Sequence, residues 1–190
     1  MLVEGLKASA SLQEFRVWSN QSADKVAEAL VEGLEASSSL QQLHLERTLI
    51  SDKGVVALAD GLRVSSSLQE LHLSGNQITD KGAEALADGL KVSSSLQRLY
   101  LGWNQITDKG AQALAEGLKA NFSIQEMDLR GNQITEKVTA AIANGLEARS
   151  SWARPMQQDA AGKPAASEQE KPSSTRPSLT VGRHTQLARA

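Results

Sequence analysis

The chain of 190 residues contains no cysteine. That excludes disulfide bonds, a thiolate nucleophile and cysteine-ligated metal sites, and it favours a reducing, cytoplasmic setting. Aromatic residues make up only 3% of the chain, and its four prolines all lie after residue 150. Nowhere do about 18 apolar residues follow one another, so neither a membrane span nor a signal peptide is expected. A basic field is missing too. Residues 1–150 carry 14 basic and 19 acidic side chains and residues 151–190 carry 6 and 3, which argues against a nucleic-acid partner. The sequence has no G-x-S-x-G, no P-loop and no His-Glu-x-x-His. No enzyme, cofactor or small-molecule substrate is therefore expected.

What the chain does have is a period of 28 residues. Leu12, Leu40, Leu68, Leu96 and Ile124 open five copies, and Gly33, Gly61, Gly89, Gly117 and Gly145 mark one late position in each. A fixed period of this length is the signature of a solenoid, whose units bury their apolar faces only against one another. Within the third copy, Leu71 and Leu73 alternate with Glu70, His72 and Ser74, which predicts a short strand with one buried face. From Thr79 the pattern changes. Ala83, Leu86 and Leu90 fall three or four apart between charged residues, as in an amphipathic helix that Thr79 or Asp80 can cap. Ser93, Ser94 and Ser95 end it.

One strand and one helix per unit, the pattern L-x-x-L-x-L-x-x-N and the 28-residue period resemble leucine-rich repeats of the ribonuclease-inhibitor type. Similar repeats occur in NOD-like receptors and Ran GTPase-activating proteins. The resemblance implies an α/β right-handed solenoid, a short horseshoe arc with a parallel sheet on the concave face and helices on the convex face. The expected domain covers residues 1–152: a half repeat over 1–11, then five repeats from Leu12 to Ser151. Because Leu2, Gly5 and Leu6 match Leu30, Gly33 and Leu34, the chain is expected to start inside a helix, which either covers the first strand or belongs to a fragment of a longer array.

Columns of equivalent residues then suggest roles. Asn20, Asn76, Asn104 and Asn132, with Thr48 in repeat two, should satisfy backbone groups where each strand turns away, leaving repeat two with the loosest turn. Ala29, Ala57, Ala85, Ala113 and Ala141 are expected in the core, and Gly54, Gly82 and Gly110 should let each helix approach the neighbouring backbone. The lysines from Lys25 to Lys137 and the adjacent acids from Asp24 to Glu136 read as a solvated convex face. After Ser151 the pattern stops: Trp152 should cover the core, Pro155 should block a further strand, and residues 153–190 read as a disordered tail.

The positions expected on the concave face differ between repeats while the framework stays nearly fixed. Its middle column reads Arg16, His44, His72, Tyr100, Asp128, flanked by Glu14, Gln42, Glu70, Arg98, Glu126 and by Trp18, Glu46, Ser74, Gly102, Arg130. Trp18, Tyr100 and Trp103 are rigid aromatic anchors of the kind that dominate protein interfaces. With His44, His72, Arg98, Asp128 and Arg130 they form the expected partner-binding surface. Gly75 and Gly102 should leave space for an incoming side chain. His44 and His72, with Glu46 and Glu70, have donors enough for a surface metal ion, but exposed histidines in a duplicated repeat are the simpler reading and no metal is assigned. Recognition of a protein partner follows, as in a sensing segment of the NOD-like-receptor kind. Ran-type GTPase activation and a gene fragment without independent function are the alternatives.

The asparagine column generates a test. Asn104→Ala should destabilise the chain by about 1 to 3 kcal/mol more than Gln105→Ala, because only the first strands buried backbone groups. Denaturant midpoints compare the two variants, and equal midpoints would show that the column is not buried.

Overall fold

The computed structural model describes residues 11–17, 23–144 and 178–180, the last three by their backbone alone. In chain order the elements are β1 (Glu14–Arg16), α1 (Asp24–Ala36), β2 (Gln42–His44), α2 (Asp52–Val64), β3 (Glu70–His72), α3 (Asp80–Leu90), β4 (Arg98–Tyr100), α4 (Asp108–Ala120), β5 (Glu126–Asp128), a helix α5 over 136–144, and β6 (Ser178–Thr180). The strands form one parallel sheet in sequence order. Its register steps by one 28-residue repeat from β1 to β5, so that Phe15, Leu43, Leu71, Leu99 and Met127 align. The fold is the expected right-handed leucine-rich-repeat solenoid, sheet inside and helices outside.

The core runs through the solenoid as stacked columns. Leu40, Leu68 and Leu96, Leu45, Leu73 and Leu101, and Ile50, Ile78 and Ile106 come from the strand side, and Leu58, Leu86 and Leu114 face them from the helices; all are essentially inaccessible to water. Full burial of such a side chain is worth about 1.5–3 kcal/mol. No single repeat can achieve it alone, so each leucine depends on the repeats on either side.

The asparagine column does what was expected of it. Asn104 Oδ1 accepts from the backbone N–H groups of Asn76 and Ile78 at 3.1 and 3.2 Å, while its Nδ2 donates to the carbonyls of Leu73 and Leu101 at 3.0 Å each. Asn76 serves the preceding turn in the same way, through Thr48, Ile50, Leu45 and Leu73. Repeat two departs from its expected looseness. Thr48 is fully buried and its hydroxyl donates to the Leu45 carbonyl at 2.8 Å; the departure shows instead as positive φ, 55°, at Leu49, whereas the same φ at Arg47 belongs to a turn position that is left-handed in later repeats too.

A second ladder corrects the reading of the acidic column. Asp24, Asp52, Asp80 and Asp108 are not merely solvated: each reaches into the start of the next helix. Asp80 accepts the Thr107 N–H at 2.8 Å, the Thr107 hydroxyl at 2.7 Å and the Gly110 N–H at 3.0 Å. Asp52 holds Thr79 and Gly82 in the same pattern, and Asp24 holds Ser51. Ser51, Thr79 and Thr107 in turn accept the first helical N–H groups of their own helices. The glycines at 54, 82 and 110 are therefore small for a different reason than expected. A Cβ on Gly110 would stand 2.6 Å from Asp80 Oδ1, so the neighbour that comes close is a carboxylate.

Close backbone approach occurs two turns further along the same helical face. A Cβ on Gly89 would lie 2.9 Å from the Ala59 carbonyl oxygen, and one on Gly117 would lie 2.6 Å from that of Ala87. Helices are wider than the spacing of about 4.8 Å between strands, and these contacts limit how far the helix side fans out. The column at Ala29, Ala57, Ala85 and Ala113 is only partly buried and Ala141 is exposed; alanines sealed in the core include Ala27, Ala83 and Ala111 one column away and Ala59 and Ala87 further along the helices.

At the far end, Ser178–Thr180 extend the sheet in parallel register with β5, placing Leu179 opposite Met127. Here the structure differs from a tail without elements. The last strand of the array exposes a row of unpaired N–H and C=O groups, and a segment of the tail pairs with it. The readings of Met1 to Ala10, Trp18, Asn20, Trp152 and Pro155 lie outside the described residues.

The carboxyl of Asp80 is held below its ordinary value of 3.8: burial works against this, but the Thr107 and Gly110 hydrogen bonds outweigh burial. Its contribution is thus complete above pH 3.8 and is lost as pH falls below it. Asp80→Ala should cost about 1–3 kcal/mol at neutral pH, and the gap from the natural chain should narrow on acidification. Urea unfolding at pH 7 and pH 3 measures both.

Candidate functional site

Alternation along each short strand sends one residue inward and its two neighbours to the concave side, so the parallel register assembles the concave columns without further instruction. Arg16, His44, His72, Tyr100 and Asp128 stand side by side on consecutive strands. The middle three are stacked: the imidazoles lie 4.0 Å apart at 19°, and the Tyr100 ring follows 4.4 Å from His72 at 26°. This stacking explains a correction. His44 is buried, with 7% exposure, and His72 is half-buried, where both were read as exposed strand histidines.

Charged groups lie around the stack. His44 Nδ1 and His72 Nδ1 share Glu46 Oε1 at 3.2 and 3.4 Å, and His72 Nε2 faces Glu70 Oε2 at 3.3 Å. Burial pushes the His72 imidazole below its usual value, helped by His44 and opposed by the carboxylates of Glu46 and Glu70. Glu70 is also held by Arg98, and Gln42 donates to its Oε1 at 3.1 Å. That Arg98 pairing lowers the Glu70 carboxyl below its normal range. Arg98, expected as a free donor at the rim, is thus already committed to Glu70.

On the other side of Tyr100, Asp128 is buried and gripped by Arg130. The Arg130 backbone N–H, Nε and Nη2 all donate to the Asp128 carboxylate, between 2.7 and 3.1 Å. The same guanidinium lies 5.6 Å above the Trp103 ring. Trp103 remains 61% exposed, resting on Gly131, where a Cβ would come within 2.6 Å of the indole. Its backbone is left-handed, φ 52°, at a turn position where Gly75 and Gly131 adopt φ 72° and 73°. A tryptophan held in a conformation suited to glycine, with most of its surface in water, is the least economical side chain on this face.

The structure therefore brings His44, His72, Arg98, Tyr100, Trp103, Asp128 and Arg130 onto one surface; Trp18 lies outside the described residues. The expected space around Gly75 and Gly102 is not there. Arg47 Cγ occupies the Cβ position of Gly75 at 2.9 Å, and Arg130 O, Asp128 and Ser74 surround that of Gly102. Among the described residues this face presents rings and ion pairs. On the helices, Lys53 pairs with Glu28 and Lys109 with Glu84, both at 2.9 Å and open to solvent, instead of with the adjacent aspartates. Exposed pairs of this kind contribute little.

A second exposed group went unread in the sequence. Phe122 is 87% exposed, and Val64, at the end of its helix, and Val92, just past the next, are also open to water. The signal existed: Phe122 replaces the serine of Ser38, Ser66 and Ser94 one period earlier each time.

Sequence and structure together define a leucine-rich-repeat solenoid. The Leucine Rich repeat family model matches residues 36–59, 64–87 and 92–115, one repeat apart. Among solved structures, the chain is similar to a leiomodin-1 structure described as actin-binding site 2, with a TM-score of 0.70 at 20% identity over 83% of this chain and 92% of that one. It is also similar to the tropomodulin C-terminal domain of Caenorhabditis elegans, with a TM-score of 0.66 at 16% identity over 84% and 99%. A search of curated proteins by sequence finds no match. At these identities the likeness concerns the fold alone.

Position 103 gives a comparison that isolates backbone strain. Trp103→Gly and Trp103→Ala both remove the indole, but only glycine adopts positive φ without cost. The glycine variant should be the more stable by about 1 kcal/mol, read from thermal or urea unfolding. Equal stability would mean that the turn relaxes freely.

Proposed function

We propose that this chain recognises another protein on its concave face, in the cytoplasm, with Trp103 and Tyr100 as anchors. The observation that carries the reading is the exposed indole of Trp103, kept in a left-handed turn and fixed by Arg130 and Gly131. Rigid rings lose little conformational freedom on binding, which is why they recur as interface hot spots. Tyr100 is ordered in advance by its stack on His72, and the Arg130–Asp128 pair supplies charge at the rim. The leiomodin-1 and tropomodulin structures carry the same solenoid, and the former is an actin-binding site; actin is accordingly the first protein to test. A sensing segment of the NOD-like-receptor kind is a finer form of the same reading. GTPase activation is the weaker reading: an arginine acting on a nucleotide must be free, and Arg98 is bound to Glu70.

Binding of the full chain to monomeric and filamentous actin, and capture of partners from a cell extract, test the reading. The double variant Tyr100→Ala, Trp103→Ala should weaken the interaction by about 2–4 kcal/mol while circular dichroism stays unchanged. Lys53→Ala with Lys81→Ala, on the helices, should leave it intact. Binding that survives the aromatic variant and fails with the lysine pair would move recognition to the convex face.

A further inference from the structure

His44, Glu46 and His72 form a compact cluster of potential ligand groups on the concave face. Their potential ligand atoms all lie within 4.8 Å of one another. Glu46 Oε1 sits between two imidazole nitrogens, 3.2 Å from His44 Nδ1 and 3.4 Å from His72 Nδ1. Bonds of about 2.0–2.2 Å from a tetrahedral ion place its ligands roughly 3.3–3.5 Å apart, so both distances are edges of such a polyhedron. Glu46 pairs only with these two histidines among the described residues, which leaves its charge without a lysine or arginine.

The far sides of the two rings carry the second observation. His44 Nε2 is a buried nitrogen with no hydrogen-bond partner, although Glu14 Oε1 stands 3.3 Å away; the pair is close but not aligned. His72 Nε2 faces Glu70 Oε2, also at 3.3 Å. An ion on both Nδ1 atoms requires each ring to carry its proton on Nε2, and each of those protons then has a carboxylate to receive it. Carboxylates behind ligating histidines orient the rings and raise their basicity. We infer that His44 Nδ1, His72 Nδ1 and a Glu46 carboxylate oxygen bind one borderline divalent transition-metal ion, with Glu14 and Glu70 as supporting acceptors. Two imidazoles and a carboxylate suit zinc, copper or nickel and leave a fourth position for water.

Binding has a structural consequence. The imidazoles are stacked nearly parallel, and lone pairs in parallel planes cannot converge on one ion. The rings must splay about their Cβ–Cγ bonds, which separates His72 from Tyr100. This inference is independent of the protein-recognition reading, since it concerns a metal ion added without any partner.

Titration of zinc chloride into the full chain, stripped beforehand with a chelator, tests it by calorimetry. One ion per chain is expected, with shifts in the ring resonances of His44 and His72 and a change in the Tyr100 absorbance. His44→Gln with His72→Gln should lower affinity at least tenfold, and so should the structurally milder Glu46→Gln at a half-buried position. Glu14→Gln should weaken binding by roughly tenfold, the effect of losing a supporting carboxylate. His184→Gln, in the tail, should change nothing. Affinity that persists in both the histidine and the Glu46 variants, loss of binding with His184→Gln, or unmoved resonances of His44 and His72 in the natural chain would overturn the assignment.

Discussion

A strand of three residues followed by a turn leaves backbone N–H and C=O groups without sheet partners in the interior, and everything else in this solenoid depends on satisfying them. Asn76, Asn104 and Asn132 do so with one carboxamide each, accepting from the turn of the preceding repeat and donating to carbonyls of both repeats. An unpaired buried donor or acceptor costs more than a hydrogen bond gains, so these side chains decide whether a short strand can exist at all. The aspartates at the helix starts extend the same logic to the outer layer, where Asp52 and Asp80 bind the first backbone N–H groups of the next repeat. Repeats are thus tied together at both ends of each strand-to-helix passage, and the leucine columns fill the space between.

Because the framework is held by side-chain-to-backbone bonds and apolar columns, the concave residues are free to differ. They have differentiated into three neighbouring arrangements: the Glu70–Arg98 pair, the stack of His44, His72 and Tyr100, and the Trp103–Arg130–Asp128 group. Charged groups border the rings in these arrangements. Stacking and ion pairing make this face stiff. Rings already packed against one another lose little freedom when a partner arrives.

The period, the strand and helix of each unit, the buried leucines and the asparagine ladder were legible in the residues because each depends on local alternation or on a repeated offset. The lateral order of His44, His72 and Tyr100 was legible for the same reason, since a parallel sheet with a fixed period can have only one register. What escaped was everything set by distance between side chains. Asp80 looks like any acid at a helix start, and only the placement of Thr107 and Gly110 shows that it spans two repeats. Likewise Gly75 and Gly102 read as open space until Arg47 and Arg130 fill it.

The sequence by itself determined the architecture, for an identical pattern repeated five times permits only neighbour-on-neighbour burial and therefore a solenoid. Tertiary structure alone decided which groups are free. It buried His44 by laying His72 and Tyr100 beside it, committed Arg98 to Glu70, left Trp103 in water on a turn that glycine would prefer, and brought Ser178–Thr180 back to the sheet edge beside β5. Those outcomes depend on separations of a few ångströms between residues a repeat or more apart, and no local pattern records them.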